Sequence, residues 1–192
     1  MKPFSEEARY DYPLTKDSIV LDIGAYEGNW GIEINRRYGC MVWMFEPCVE
    51  FANNIRKRIT NNPSIRVVNV AVDSICAWVP NGLKINGDST GFLNPNPVSV
   101  QTCEVIGARH IIEMLGPVEL LKINAESAEY GILKSLVATG YINLVRRIQV
   151  QFHTVIPKFE QELKALQESL TQTHNMTFFD EPSLWQGWEL KW

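Results

Sequence analysis

The chain has 192 residues, 45 % of them apolar and 21 % charged, with a formal net charge of −4. That length suits one domain with a sizeable core, and the composition is ordinary for a soluble globular protein. The negative balance argues against an enzyme that grips phosphate backbones through bulk positive charge, and no run approaches the roughly 20 apolar residues of a membrane-spanning helix.

Residues 1–17 read as a polar lead-in, and residues 18–192 as a single domain with an irregular insertion at about 73–105. Met1 to Glu7 holds no apolar stretch of signal-peptide length, so a cytoplasmic location is expected. From Ser18 onward, short β-branched runs alternate with helical patterns, as in a mostly parallel sheet with helices on both faces. Ser18 to Ile23 is the first predicted strand. A helix follows from about Asn29 to Tyr38, with Trp30, Ile34 and Tyr38 on one face and Gly39 placed to end it. Met41 to Phe45 reads as a wholly apolar strand. Pro47 then opens a helix through Thr60, with Ala52, Ile55 and Ile59 inward and Arg56-Lys57-Arg58 on its solvated face. Asn61-Asn62-Pro63 stops it, and Ile65 to Val72 is the third strand.

The rhythm breaks after Asp73. Trp78 to Leu83 suggests a hairpin around Asn81-Gly82, and Gly87 to Pro97 reads as a loop. Such an insertion is either a substrate-facing flap or a plain connection. Regularity returns with a helix over Ile106–Leu115, a strand over Val118–Ile123, a helix from about Ser127 to Ala138 closed by Gly140, and a strand over Arg147–Phe152. A long helix from Pro157 to about Thr173 carries Phe159, Leu163, Leu166 and Leu170 on one side. Short strands over Met176–Phe179 and Trp188–Leu190 finish the chain. Cys40, Cys48, Cys76 and Cys103 lack any metal-ligand spacing and read as small apolar fillers. His110 and His174 stand in helix-like contexts as structural or solvent-facing residues, while Trp185, Trp188 and Trp192 read as core caps in preference to a stacking surface.

The most informative stretch is Val20-Leu21-Asp22-Ile23-Gly24-Ala25-Tyr26-Glu27-Gly28-Asn29, a strand ending in Asp-x-Gly-x-x-x-Gly and leading into a helix. Gly24 suits a sharp turn close to a ligand, Gly28 suits a helix start packed near the strand, and amides at that helix start suit a polar or anionic group. Asp22 is placed to meet an amino group, directly or through water. Tyr26 occupies the second-glycine place of the dinucleotide fingerprint, where a pyrophosphate needs room, so a nucleoside without a pyrophosphate is favoured: S-adenosylmethionine (SAM) over NAD. Glu46, about twenty residues further on at the end of the second strand, stands where a ribose diol is held.

The residues at this point resemble the FkbM-type methyltransferases, a class I family that usually methylates hydroxyl groups. Three blocks carry the resemblance: Leu21 to Gly28, Phe45-Glu46-Pro47, and Leu120-Leu121-Lys122-Ile123-Asn124-Ala125-Glu126-Ser127-Ala128-Glu129. Asn69-Val70-Ala71-Val72 and Ser89-Thr90-Gly91-Phe92 fit weaker family features. The resemblance implies a doubly wound, mostly parallel, seven-stranded Rossmann-like α/β sheet. It also implies SAM as cofactor, held by Asp22, Gly24, Ala25, Tyr26, Gly28, Glu46, Ala71 and Asn124. The chain departs from the family at Tyr26 (Asn in the family), Asn124 (Asp), Ser127 (Gly) and Gln151 (Glu). At 124 and 151 an amide keeps the hydrogen bonding of an acid and loses its charge and basicity.

A hydroxyl acceptor benefits from a base. His153, at the end of the fifth strand, is the first candidate and is equally readable as a structural histidine; Glu126 is the second, or a helix-start charge. The expected partner is a small-molecule or glycan hydroxyl acceptor, with no nucleic acid and no membrane. A cofactor-binding protein with weakened catalysis is the alternative, motivated by Asn124 and Gln151, and a nucleotide-dependent oxidoreductase is disfavoured by the missing glycine.

Overall fold

Alternation along the strands decides which residues face which helices. In the computed structural model, which describes residues 5–86, 89–91 and 99–192 (backbone only from 78 to 101), six strands running one way and one running against them make the main sheet. Its strands are β1 (Ile19–Ile23), β2 (Met41–Phe45), β3 (Ile65–Val68), β8 (Leu120–Ile123), β9 (Arg147–Gln151), β10 (His174–Asp180) and β11 (Trp185–Leu190), in the order β3-β2-β1-β8-β9-β11-β10. The order reverses between β1 and β8, which opens a crevice at the carboxyl ends of those strands. The predicted doubly wound seven-stranded sheet is therefore observed.

Leu21, Ile23, Phe45, Leu121, Ile123, Ile148 and Val150 point to one face, which is covered by α3 (Ala108–Leu115), α4 (Ala128–Thr139) and α5 (Phe159–Leu170) through Ile111, Ile112, Leu133, Leu136, Leu163, Leu166 and Leu170. Val20, Val42, Met44 and Leu120 point the other way, to Trp30 and Ile34 of α1 (Asn29–Tyr38) and Ile55 of α2 (Val49–Arg58). Asn35 ties α1 down from within: its Nδ2 donates to the Cys40 carbonyl (2.7 Å) and its Oδ1 accepts from Asn62 (2.8 Å).

The lead-in is more than polar chain. A 3₁₀ turn, Glu6–Arg9, lays the Arg9 guanidinium 4.2 Å over the Trp185 ring, and Trp30 donates from Nε1 to the Arg9 carbonyl. Tyr12 donates to the buried Gln149 (2.7 Å) and Leu14 joins the α1 core. Residues 5–14 thus cover the part of the sheet beyond α1's reach.

Where the predicted third strand runs on to Val72, the structure divides it. Asn69 turns its amide onto the carbonyls of Glu46 (2.8 Å) and Pro47 (2.9 Å), and the chain leaves β3 for β4 (Ala71–Asp73) in a second sheet. That sheet, ordered β4-β7-β5-β6, also contains β5 (Ala77–Asn86), β6 (Ser89–Gly91) and β7 (Ser99–Gly107). The Asn81-Gly82 hairpin is not present: both residues lie within β5, where the register shifts between Val79 and Leu83 around a proline with no N–H for the ladder. Of the predicted Gly87–Pro97 loop, Ser89–Gly91 is strand and residues 87, 88 and 92–97 lie outside the described residues, as does Phe92 of the weaker family feature. His174 opens a strand instead of lying in a helix; it is buried, bonded to the Val145 carbonyl (2.9 Å), and burial lowers its pKa. Trp185 and Trp188 are core residues, whereas Trp192 is fully exposed under Arg146; Cys40, Cys48 and Cys103 are buried fillers, but Cys76 is exposed. Among the described residues no helix is long and apolar enough to cross a membrane.

Candidate functional site

Four neighbouring parallel strands, β2, β1, β8 and β9, end side by side in Glu46, Gly24, Asn124 and the Gln151–His153 segment. The bends that follow β1 and β8 are different kinds of turn, and their chemistry divides the site.

After β1 the chain turns with Gly24 at φ +75, Tyr26 at +53 and Gly28 at +77. Gly24 N and Ala25 N both donate to the Phe45 carbonyl (3.0 and 3.1 Å), and Tyr26 N donates to Glu46 Oε2 (2.7 Å). These three amides bind the turn to the end of β2. Gly24 is required because a Cβ there meets the Asn124 carbonyl oxygen at 1.8 Å, so the excluded bulk collides with β8's end before it reaches any ligand. Gly28 is tight against Ile55 of α2, and the glycine that lets α1 sit down on the strands is Gly31, whose Cβ would come 2.5 Å from Met44 Cε and 2.9 Å from Asp22 Oδ2.

Asp22 is fully buried on the α1 face, paired to Lys122 (2.8 Å), its register partner on β8. Lys122 also donates to the Gly24 carbonyl (2.7 Å), so this buried cation ties strand to turn. Burial raises the Asp22 pKa and Lys122 opposes it. Lys122 is the residue sequence reasoning passed over; a lysine in the apolar run Leu-Leu-Lys-Ile must find a partner when buried, and Asp22 was the acid in register.

Glu46 is 2 % exposed and accepts from Tyr26 N and from Cys48 N (2.8 Å). Burial pushes its pKa up to about 7, against those two bonds. Ionised, each carboxylate oxygen keeps a second lone pair for a diol hydroxyl; protonated, one oxygen donates instead, and a neutral diol can partner either form. Asn124 has a buried Oδ1 with no partner, an orphan acceptor beside the Gly24 turn. Ala25 is buried under the turn, Tyr26 is half exposed with its ring edge-on to Phe51, and Ala71 packs with Cys103 and Val105 in the second sheet.

The turn after β8 carries two non-glycine residues at positive φ, Glu126 (+48) and Ser127 (+87). Glu129, in the first turn of α4 and wholly buried, closes it: Oε2 accepts from Ser127 N (2.9 Å) and Oε1 from His153 N (2.7 Å). The same Oε1 lies 2.8 Å from His153 Nδ1, and Glu126 Oε1 lies 3.5 Å from Nε2. Burial pulls the His153 pKa down, but the hydrogen bonds and charges of Glu126 and Glu129 outweigh it and carry it up to about 10. His153 is therefore a cation at neutral pH, a donor on both ring nitrogens, without the lone pair a proton acceptor needs. The structure brings the two candidate catalytic residues together and adds Glu129, which in the sequence is only the last residue of the third resembling block.

No family model matches the chain, and no curated protein matches it by sequence. Solved structures do. The fibrillarin pre-rRNA processing protein of Methanococcus jannaschii superposes with a TM-score of 0.56 at 11 % identity, over 97 % of this chain and 74 % of that one. An rRNA methylase from Streptococcus thermophilus gives 0.53 at 10 % identity, over 93 % and 90 %. A candidate methyltransferase from Streptococcus mutans, solved with S-adenosylhomocysteine (SAH), gives 0.53 at 11 %, over 93 % and 91 %. The fold is that of the class I methyltransferases. Likeness at such identities speaks for the fold alone.

Proposed function

We propose that this chain is a SAM-dependent methyltransferase of the FkbM type, acting on a hydroxyl of a small molecule or glycan. The observation that carries the reading is the edge on which Glu46, the Gly24 turn, Asn124 and His153 stand together, at the switch point of a methyltransferase-type sheet. The three blocks that resemble the family all fall on that edge. The donor set fits the cofactor: Glu46 has lone pairs for a ribose diol, and the orphan Asn124 Oδ1 is an acceptor that an ammonium group would satisfy.

When bound, SAM supplies an electrophilic methyl group. The chain's part is to hold an acceptor in line with it and exclude water, which accounts for much of the rate in a direct displacement. Glu129 fixes the ring of His153, and Glu126 stands 3.5 Å from its other nitrogen, so a cation and an anion share this edge.

A second reading, cofactor binding with weakened catalysis, draws on Asn124, on Gln151 donating to the Ser183 carbonyl (3.1 Å), and on a histidine held between two carboxylates. Calorimetry with SAH and with NAD tests the cofactor. SAH is expected to bind, and Glu46→Ala to weaken it by about 1–3 kcal/mol. A thermal melt of the variant alongside separates lost binding from lost folding, because the amides of Tyr26 and Cys48 lose their acceptor too. Binding of NAD alone overturns the assignment.

A further inference from the structure

We infer, resting on the methyl-transfer reading above, that His153 Nε2 is a seat for an acceptor oxyanion, held in the resting protein by Glu126. The acceptor class is then acidic hydroxyls, phenols and enols, taken up as their anions, which keeps the small-molecule half of that reading and drops the glycan half, because glycan hydroxyls are alkyl alcohols.

The two carboxylates on the one imidazole are unequal. Glu129 is wholly buried, reaches Nδ1 at 2.8 Å and also takes the backbone N–H of His153, so the ring's position is fixed. Nε2 lies across the ring from that anchor. Its neighbour, Glu126 Oε1, is 3.5 Å away, beyond a normal hydrogen bond, on a side chain 37 % exposed and a backbone at φ +48. A half-exposed ion pair of that length is worth little. A charged N–H donor 3.5 Å from a loosely held carboxylate oxygen is a place for an oxygen anion, and Glu126 is the part of it free to leave.

The choice of acceptor follows from what a cation can do. An alkyl alcohol keeps its proton near neutral pH and needs a base, which a protonated imidazole is not. A phenol or enol gives its proton to solvent on binding, and the imidazolium favours the anion that remains. In the transfer the anionic oxygen forms its bond to the methyl carbon while the carbon–sulfur bond breaks and its electron pair stays on sulfur. No proton moves in that step. His153 thus acts as a fixed positive charge where the sequence suggested a base, and Glu126 as a displaceable competitor.

The test needs no turnover. Para-nitrophenol absorbs differently as phenol and phenolate, so it reports its own ionisation when added to the SAH-loaded protein at a pH below its solution midpoint. The wild type is expected to raise the phenolate band. His153→Asn, which keeps a donor for Glu129, abolishes that rise, and Glu126→Gln tightens phenolate binding by up to about fivefold, the worth of a half-exposed ion pair. In turnover with labelled SAM, phenols are methylated and aliphatic alcohols are not. A band unchanged in His153→Asn, or Glu126→Gln weakening both binding and transfer, overturns the inference. So does equal transfer to aliphatic alcohols. If SAH binds and no phenolate band appears, this inference alone falls; if SAH does not bind, the methyl-transfer reading falls and takes the inference with it.

Discussion

The two strand-to-helix turns on the candidate edge solve one geometric problem in opposite ways. After β1 the left-handed positions at the turn's start and end are glycines, Gly24 and Gly28, and the bend is relaxed; Tyr26 is the exception, held by Glu46 and packed on Phe51. After β8, both left-handed positions are L-residues with full side chains, Glu126 and Ser127. Each such residue costs on the order of 1–2 kcal/mol. Each turn is also fastened by a buried charge, Lys122 for the first and Glu129 for the second. The first is thus a rigid support, and the second is a strained turn clamped by one carboxylate, which suits a side chain such as Glu126 that has to move.

Substitutions in the rigid turn should have the largest effects. Gly24→Ala places a methyl 1.8 Å from the Asn124 carbonyl oxygen at φ +75, and backbone on both sides leaves no room for a flexible group to yield. A loss of about 3–5 kcal/mol is expected, read as the urea midpoint, and an unchanged midpoint would show that the β1 and β8 ends move apart freely. Lys122→Met should cost nearly as much, about 3–5 kcal/mol, by stranding a fully buried Asp22. Adding Asp22→Leu should restore part of that stability, the remainder being the Gly24 carbonyl left without its donor. A double variant as weak as the single one would move the importance of Lys122 from the ion pair to the turn.

The clamp should show smaller effects with a pH signature. Glu129→Gln keeps the shape but turns a charged acceptor of the Ser127 and His153 N–H groups into a neutral amide, at about 2–3 kcal/mol. In the wild type the His153 pKa is raised from 6.5 to about 10, so the folded state holds a proton the unfolded state has lost in that window. The stability this contributes is complete below 6.5 and disappears as pH rises through about 10. Urea midpoints across that range should fall with pH more steeply in the wild type than in Glu129→Gln. Parallel slopes would mean that Glu129 does not hold the proton on His153.

The rigid half of the edge was largely legible in the sequence, and the clamped half was not. Gly24, Glu46 and the element pattern around them follow from local rules of strand, turn and helix start, and α1 and β2 fall within their predicted bounds. The partners of the amides in the bend could not be read locally, because a glycine pattern shows that the chain bends and not where its N–H groups point; Phe45 and Glu46, at the end of the next strand, take those of Gly24, Ala25 and Tyr26. The role of Glu129 depends on β9 bringing His153 alongside α4, 24 residues away in sequence, a non-local fact with no local periodicity behind it. The division of the third strand at Asn69 had the same origin, since its partners are the carbonyls at the end of β2.

The smallest effect tests the strain itself. Ser127 is the N-cap of α4, yet its hydroxyl makes no capping bond and is buried without a partner, while its backbone N–H goes to the Glu129 carboxylate. The residue therefore carries the cost of φ +87 and of a stranded hydroxyl with no return from either. Ser127→Gly removes both, against the greater freedom of glycine in the unfolded chain. A net gain of about 1 kcal/mol is expected, or roughly 2–4 °C in Tm. If the turn is strained so that Glu126 can leave His153, the stabilised variant should also bind para-nitrophenolate more weakly, because a relaxed turn gives Glu126 less reason to move. A gain in Tm with unchanged phenolate binding would leave the strain real and remove it from the exchange at His153.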